Sequence, residues 1–325
     1  MIVHPDLRAL RSDAAPQREA QERLYDAVGA WRRAPQVAAM LADLPAYAEG
    51  RPLADCPALA VMFNQDDETA LPLVQGFVAA AADGLAAAPL GYLPLRHFSD
   101  GVISTLLLGH AGAVTLSLVA VDGAGLAGRP RPTAVDFRPS EVAERVLAGS
   151  ASAELIVCRP VSDSAARLER RPISLAPGSA IHRDGTETAM LLGDATDCLV
   201  TLRLQRRRAD GGPTREYALA DGRLLHLAAS NPRDSRLELM MALAGRMGRS
   251  DAAPPIASLA LGDGSTAVRW QALRECLALD TLTGFQTLTA IATSPGDPLA
   301  ETAGALRAQL IETYPQLELV DLCPA

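Results

Sequence analysis

Two stretches of this 325-residue chain, 97–157 and 181–241, read as copies of one another, and an internal duplication constrains the fold more than any single motif does. Asp100-Gly101 and Leu106-Leu107-Leu108-Gly109 recur 84 positions later as Asp184-Gly185 and Met190-Leu191-Leu192-Gly193. Thr115-Leu116-x-Leu118 recurs as Thr201-Leu202-x-Leu204 at an offset of 86. Val146-Leu147-Ala148-x-Ser150 recurs as His226-Leu227-Ala228-x-Ser230 at 80, and Glu154-Leu155-Ile156-Val157 as Glu238-Leu239-Met240-Met241 at 84. The offsets drift only between blocks, where loops absorb insertions.

The duplicated region consists of short apolar runs between Gly, Pro and Asp turns. Strands are predicted over 102–108, 114–121 and 153–157, then 188–192, 198–204, 215–219, 224–228 and 237–242. Strands of this length and spacing predict a sandwich or barrel rather than alternating βα units. The flanks read as helices: 16–33, 35–47 and 69–88 before the duplication, and 266–279, 282–292 and 298–313 after it, with 248–256 as a linker. The expected fold class is α+β. A helical region over 1–90 precedes a duplicated β core over 91–247, and a second helical region over 257–325 follows.

Composition excludes several function classes. All 30 basic residues are Arg, so there is no Schiff-base lysine for pyridoxal phosphate and no phosphate-binding loop lysine for a nucleotide. Gly123-Ala-Gly125-Leu-Ala-Gly128 has dinucleotide-loop spacing, but Pro130 and Pro132 follow closely, and the segment reads as a loop. A net charge of −8 argues against nucleic acid, and the basic clusters Arg203/Arg206-Arg207-Arg208 and Arg167/Arg170-Arg171 read as a solvated hairpin tip and a loop. The most apolar long window, 76–95, is interrupted by Asp83, so no membrane span is expected. Five cysteines without metal-site spacing fit reduced thiols in a cytoplasm, and the Ala/Arg-rich usage fits a bacterial source.

The duplication is its own control. His182 falls on Phe98, Glu187 on Ile103 and His226 on Val146, so three apolar positions of one copy are two imidazoles and a carboxylate in the other. That is the ligand set of a facial triad, which leaves positions open for water, substrate or O₂. Asp184 matches Asp100 and reads first as part of a shared Asp-Gly turn. The competing reading leaves these side chains in solvent or satisfied by local hydrogen bonds.

The run Pro177-Gly178-x-x-x-His182-x-Asp184-x-x-Glu187 through Gly193, followed by Asp221-Gly222-x-x-x-His226, resembles the two motifs of the cupin superfamily. With two such repeats, the region resembles a bicupin, a pair of jelly rolls in one chain. The resemblance implies a divalent metal (Fe, Mn, Ni or Zn) on His182, Glu187 and His226, with Asp184 as a fourth candidate, and oxygenase or isomerase chemistry. The alternative is a metal-free barrel that binds a small molecule or a protein partner without catalysis. Homodimerisation through a jelly-roll sheet also follows by analogy. Val268-Arg-Trp-Gln-Ala-Leu-Arg-Glu with 303–310 resembles HEAT-like helical repeats, which serve as an interaction surface or as a cap on the β region.

Overall fold

The computed structural model describes residues 13–162, 164–208, 212–229 and 232–322; Ser230, used in the repeat pattern, lies outside them. The chain is an α+β protein that divides into two compact units, one of residues up to 211 with 215–226, the other of 227–325 with 212–214.

The first unit opens with helices whose starts are set by proline. Helix α1 (Ala15–Arg33) has Pro16 in its first turn and buries Leu24, Val28 and Trp31, spaced by four and three residues. Helix α2 (Pro35–Ala48) buries Val37, Met40, Leu44 and Tyr47 in the same way. A single turn, α3 (Pro57–Ala60), leads to α4 (Ala70–Ala87). By length and composition α4 is long and apolar enough to cross a membrane, but its Leu73, Val74, Phe77 and Ala81 are buried in this unit's core. The rings of Trp31 and Phe77 meet there at 4.9 Å.

Strands β1 (His97–Ser99), β2 (Ile103–Ala111) and β3 (Val114–Asp122) follow. Next comes α5 (Gly123–Ala127), where a loop is expected. The correction has a local cause: the Asp122 side chain accepts from the Gly125 N–H and caps a five-residue helix that ends before Pro130. The remaining strands are β4 (Ala134–Phe137), β5 (Ser140–Ser162), β6 (Ala165–Leu175), β7 (Ala180–Asp184), β8 (Thr188–Arg207), β9 (Thr214–Ala218) and β10 (Leu224–Ala228).

Where the sequence predicts two β domains, the strands of both stretches interleave in one seven-stranded antiparallel sheet. Its order is β1-β2-β3-β8-β5-β6, with β7 on the early part of β5. A three-stranded sheet, β10-β9-β4, accompanies it. The last matched block also differs in kind: Glu154–Val157 is strand, whereas residues 238–241 are helix.

The long β5–β8 ladder bends at bulges between Val146 and Ala153. Gly149 sits there at φ +73°, and a Cβ would lie 2.2 Å from the Cys198 carbonyl oxygen, so only glycine fits. The bend brings the far halves of β5 and β8, with β6, over the inner face of the near halves. Val119, Val121 and Val146 from one side share a core with Ala151, Ala153 and Leu175 from the other. Side-chain alternation turns Ile156, Cys158 and Ala189 to the opposite face, where Val135, Phe137 and Tyr217 of the small sheet cover them.

The outer face of the near halves is closed by the N-terminal helices. Leu108, Val114, Leu116, Ala143, Leu147, Leu202 and Leu204 pack against Met40, Leu44, Phe63 and Phe77 in one core. Arginines fasten this contact: Arg145 donates to the carbonyls of Asn64 and Asp67, and Arg206 donates to those of Tyr47 at 2.7 Å and Arg51 at 2.9 Å.

The second unit is helical: α6 (Pro232–Arg246), α7 (Ala253–Leu261), α8 (Thr266–Leu279), α9 (Thr281–Ala292) and α10 (Ala300–Thr313). The strand expected at 237–242 is therefore part of α6, and the expected linker at 248–256 contains the start of α7, which Pro254 and Pro255 initiate. Ile256, Leu273, Cys276, Phe285, Leu288 and Ile291 form the core. Arg269 is buried and donates to the Ala260 carbonyl at 2.9 Å and to Asp297, so it ties α7 and α8 to the loop before α10.

Candidate functional site

The side chains singled out as metal ligands do not come together as a ligand set. His182 lies in β7 opposite Ala143, on the face that the N-terminal helices pack against but itself exposed, with Nε2 3.3 Å from the Phe63 carbonyl oxygen. Glu187 and His226 are solvent-exposed, the latter on β10 of the small sheet. Asp184 serves its turn: Oδ1 accepts from the Thr186 N–H at 2.9 Å and hydroxyl at 2.6 Å, and Oδ2 pairs with Arg208 at 2.8 Å. Burial pushes the Asp184 carboxyl up, but Thr186 and Arg208 outweigh it and hold the group below the usual carboxylate range. Among the described residues no group of three or more His, Cys, Asp or Glu side chains could hold a metal ion. The physical reason is parity. The even positions of β7 face the N-terminal helices, so His182 and Asp184 belong to a docking face and not to the interior.

The basic cluster at 203–208 is likewise more than a solvated tip. Arg206 lies 4.1 Å from the Tyr47 ring centroid and pairs with Glu141, which Arg208 also contacts at 3.2 Å. Burial pushes the Tyr47 phenol up to about 12; Arg206 opposes the shift and Glu141 adds to it. Residues 167–171 are part of edge strand β6, where Arg170 meets Glu154 at 3.4 Å.

The interior of the first unit holds the unusual chemistry. Glu144 in β5 points inward between Val142 and Val146, and its side chain is only 3% exposed. Arg203 of β8 is its cross-strand neighbour and donates from Nε to Glu144 Oε1 at 2.5 Å. Arg183 of β7 sits diagonally across β5 and donates from Nη2 to Oε2 at 3.1 Å. Burial pushes the Glu144 carboxyl up, yet the two guanidinium charges and their hydrogen bonds prevail and hold it below the usual range. The carboxylate is therefore ionised and shared by two cations.

This cluster opens into a cleft of about 440 Å³. One wall is the inner face of the large sheet, with Val142, Arg183, Arg203 and Gln205. The facing wall comprises Ala189, Met190 and Leu191 of β8, Ala134, Val135 and Asp136 of β4, and Glu216 of β9. The volume is within the range of small-molecule sites, ~300–1,000 Å³, and the lining is strongly charged, with Arg138, Arg183 and Arg203 against Asp136 and Glu216. Sequence reasoning missed Glu144 and Arg183, and read Arg203 as part of a solvated hairpin tip. The available signal was a charge alternating with apolar residues in Val142-x-Glu144-x-Val146, an ionised group on the buried face of a strand.

The second unit carries a larger, mostly apolar cavity of about 770 Å³, lined by Trp270, Leu277, Leu306, Leu310, Tyr314 and Leu317 with Arg274. No buried polar group converges on it.

No protein-family model matches the sequence, and no curated protein matches it. Among solved structures, a cupin superfamily protein from Desulfitobacterium hafniense is 11% identical, with 35% of this chain and 84% of that chain covered at a TM-score of 0.23. KdgF from Halomonas sp. is 17% identical, with 35% and 89% covered at a TM-score of 0.25. HutD from Pseudomonas fluorescens is 12% identical, with 35% and 55% covered at a TM-score of 0.23.

Proposed function

We propose that the first unit is a metal-independent, cupin-like barrel that binds a small molecule in the cleft beside Glu144. The observation that carries this reading is the Arg183–Glu144–Arg203 cluster, an ionised group buried at the wall of a cleft large enough for a ligand. Taking Glu144 fully and the two arginines partly out of water is costly, and apolar side chains of similar volume would stabilise a core at least as well, so their presence argues for a task other than packing. The oxygenase or isomerase reading through His182, Glu187 and His226 has no such support, because those donors do not converge.

The remaining parts of the proposal rest on sequence. A cytoplasmic setting is supported by the free thiols of Cys56, Cys158, Cys198 and Cys276. Homodimerisation through a sheet follows from the jelly-roll resemblance, and a HEAT-like organisation of 257–325 from that of its helices.

A thermal-shift screen of a panel of small polar metabolites tests the function. At least one compound is expected to raise the melting temperature of the wild-type chain but not of Gln205→Trp, whose indole fills the cleft. Equal responses of the two proteins would contradict the proposal. So would a stoichiometric metal that His182→Ala removes.

A further inference from the structure

We infer that the cleft receives its ligand through an oxyanion, a carboxylate or a phosphate, seated against the guanidinium groups of Arg183 and Arg203. This inference rests on the reading of the cleft as a ligand site and names the chemistry of what enters.

Charge is the first argument. One carboxylate, 3% exposed, is shared by two guanidinium groups that are 16% and 32% exposed, so the cluster carries an excess positive charge at a position only partly open to water. Such an excess is costly unless an opposite charge meets it.

The donor count points the same way. A guanidinium has five N–H donors and accepts nothing. Arg183 gives Glu144 one hydrogen bond, through Nη2, and Arg203 gives one, through Nε. The Nε–H of Arg183 is buried without a hydrogen-bond partner. That donor is closed to water and so to a ligand in the cleft, but the remaining donors of the two arginines that line it gain most from an acceptor that is itself charged, and the planar fork of arginine matches a carboxylate or phosphate.

The nearby acids do not fill this role. Asp136 is paired with Arg138 at 2.8 Å, and Glu216 stands opposite Asp136 in the β4–β9 register on the facing wall. Two carboxylates there disfavour a second anionic group. They suit a ligand whose far end donates hydrogen bonds, as a hydroxyl does. A cationic ligand would face the two arginines and is disfavoured.

Isothermal titration of the full chain with inorganic phosphate, lactate and choline, at matched ionic strength, tests the inference. Phosphate or lactate is expected to bind saturably, and which of them binds separates a phosphate ligand from a carboxylate one. Arg183→Gln and Arg203→Met are each expected to weaken that binding by about tenfold or more. Arg183→Lys keeps a charge for Glu144 and guards against a folding defect; it too is expected to bind more weakly, because an ammonium lacks the planar guanidinium fork. Oxyanion binding that no arginine substitution changes would overturn the inference, as would binding of choline alone. If neutral compounds bind and Gln205→Trp blocks them while the arginine variants do not, the ligand site stands and only the oxyanion chemistry fails. If neither anions nor neutral compounds bind at millimolar concentration, both readings fail.

Discussion

Replacing Glu144 by Gln probes the buried cluster at its centre. The substitution keeps the shape and removes the charge that holds Arg183 and Arg203 in the interior, so two cations remain on one inner face. Breaking a buried ion pair by removing one partner costs about 3–5 kcal/mol. Arg183 and Arg203 retain 16% and 32% exposure, so water screens part of the repulsion and the lower end, about 3 kcal/mol, applies. For a unit of this size about 2–4 °C accompanies each kcal/mol, and the first unit's melting temperature should fall by about 6–12 °C. Calorimetry reads this directly. The triple variant Glu144→Leu, Arg183→Met, Arg203→Met removes all three charges together and should return to within about 1–2 kcal/mol of wild type. The pH dependence has a definite sign. The folded carboxyl titrates below the unfolded value of about 4.3, so its stabilisation is full above that pH and is lost as pH falls through the folded value. Glu144→Gln should lack this acid-side component. A Glu144→Gln protein that melts within about 1 °C of wild type, with an unchanged acid limb, would refute the account of the cluster.

Further outcomes follow from other contacts. His182→Ala should cost about 0.5–1.5 kcal/mol, the value of one hydrogen bond to the Phe63 carbonyl, and leave metal content unchanged by elemental analysis. Gly149→Ala forces a side chain into positive φ and onto the Cys198 carbonyl, and should destabilise the first unit by about 2 kcal/mol or more in urea unfolding. Arg206→Met frees two carbonyls and Glu141 from their donor, so amide exchange in α2 should rise relative to α4. The phenol of Tyr47 is held up near 12, so the protection it gives lasts to about pH 10 and is lost as pH rises towards 12, a change that Tyr47→Phe should abolish.

Helices were the most legible part of this chain. Pro35 and the spacing of Val37, Met40, Leu44 and Tyr47 define α2, and the pattern through 266–279 defines α8 to the residue. The strands were legible where they are apolar, as in β2 and β3. They were hidden where charge interrupts the pattern. Residues 165–175 carry three arginines, a glutamate and Pro172, a composition that only an edge strand tolerates, and β6 is an edge. Residues 237–242 are apolar but short, and such a run does not separate strand from helix by itself. The candidate site was legible in the wrong residues for a related reason. His182 attracted attention because its counterpart Phe98 is unlike it, and Asp184 because of the motif resemblance, yet parity assigns both to the face that receives α2 and the turn near Phe63. The inward residue between them, Arg183, meets Glu144, whose neighbours along the chain are ordinary for a strand. That meeting depends on the β5–β7 and β5–β8 registers, which a one-residue slip would reverse.

The most direct test is an arginine side-chain NMR titration of ¹⁵N-labelled protein with phosphate or lactate. Saturable shifts of the Nε–H signals of Arg183 and Arg203, with Arg167 and Arg171 on the outer edge strand unmoved, are the expected result. Uniform weak drift across all arginines, or none at Arg183 and Arg203, would contradict a ligand seat at the Glu144 cluster.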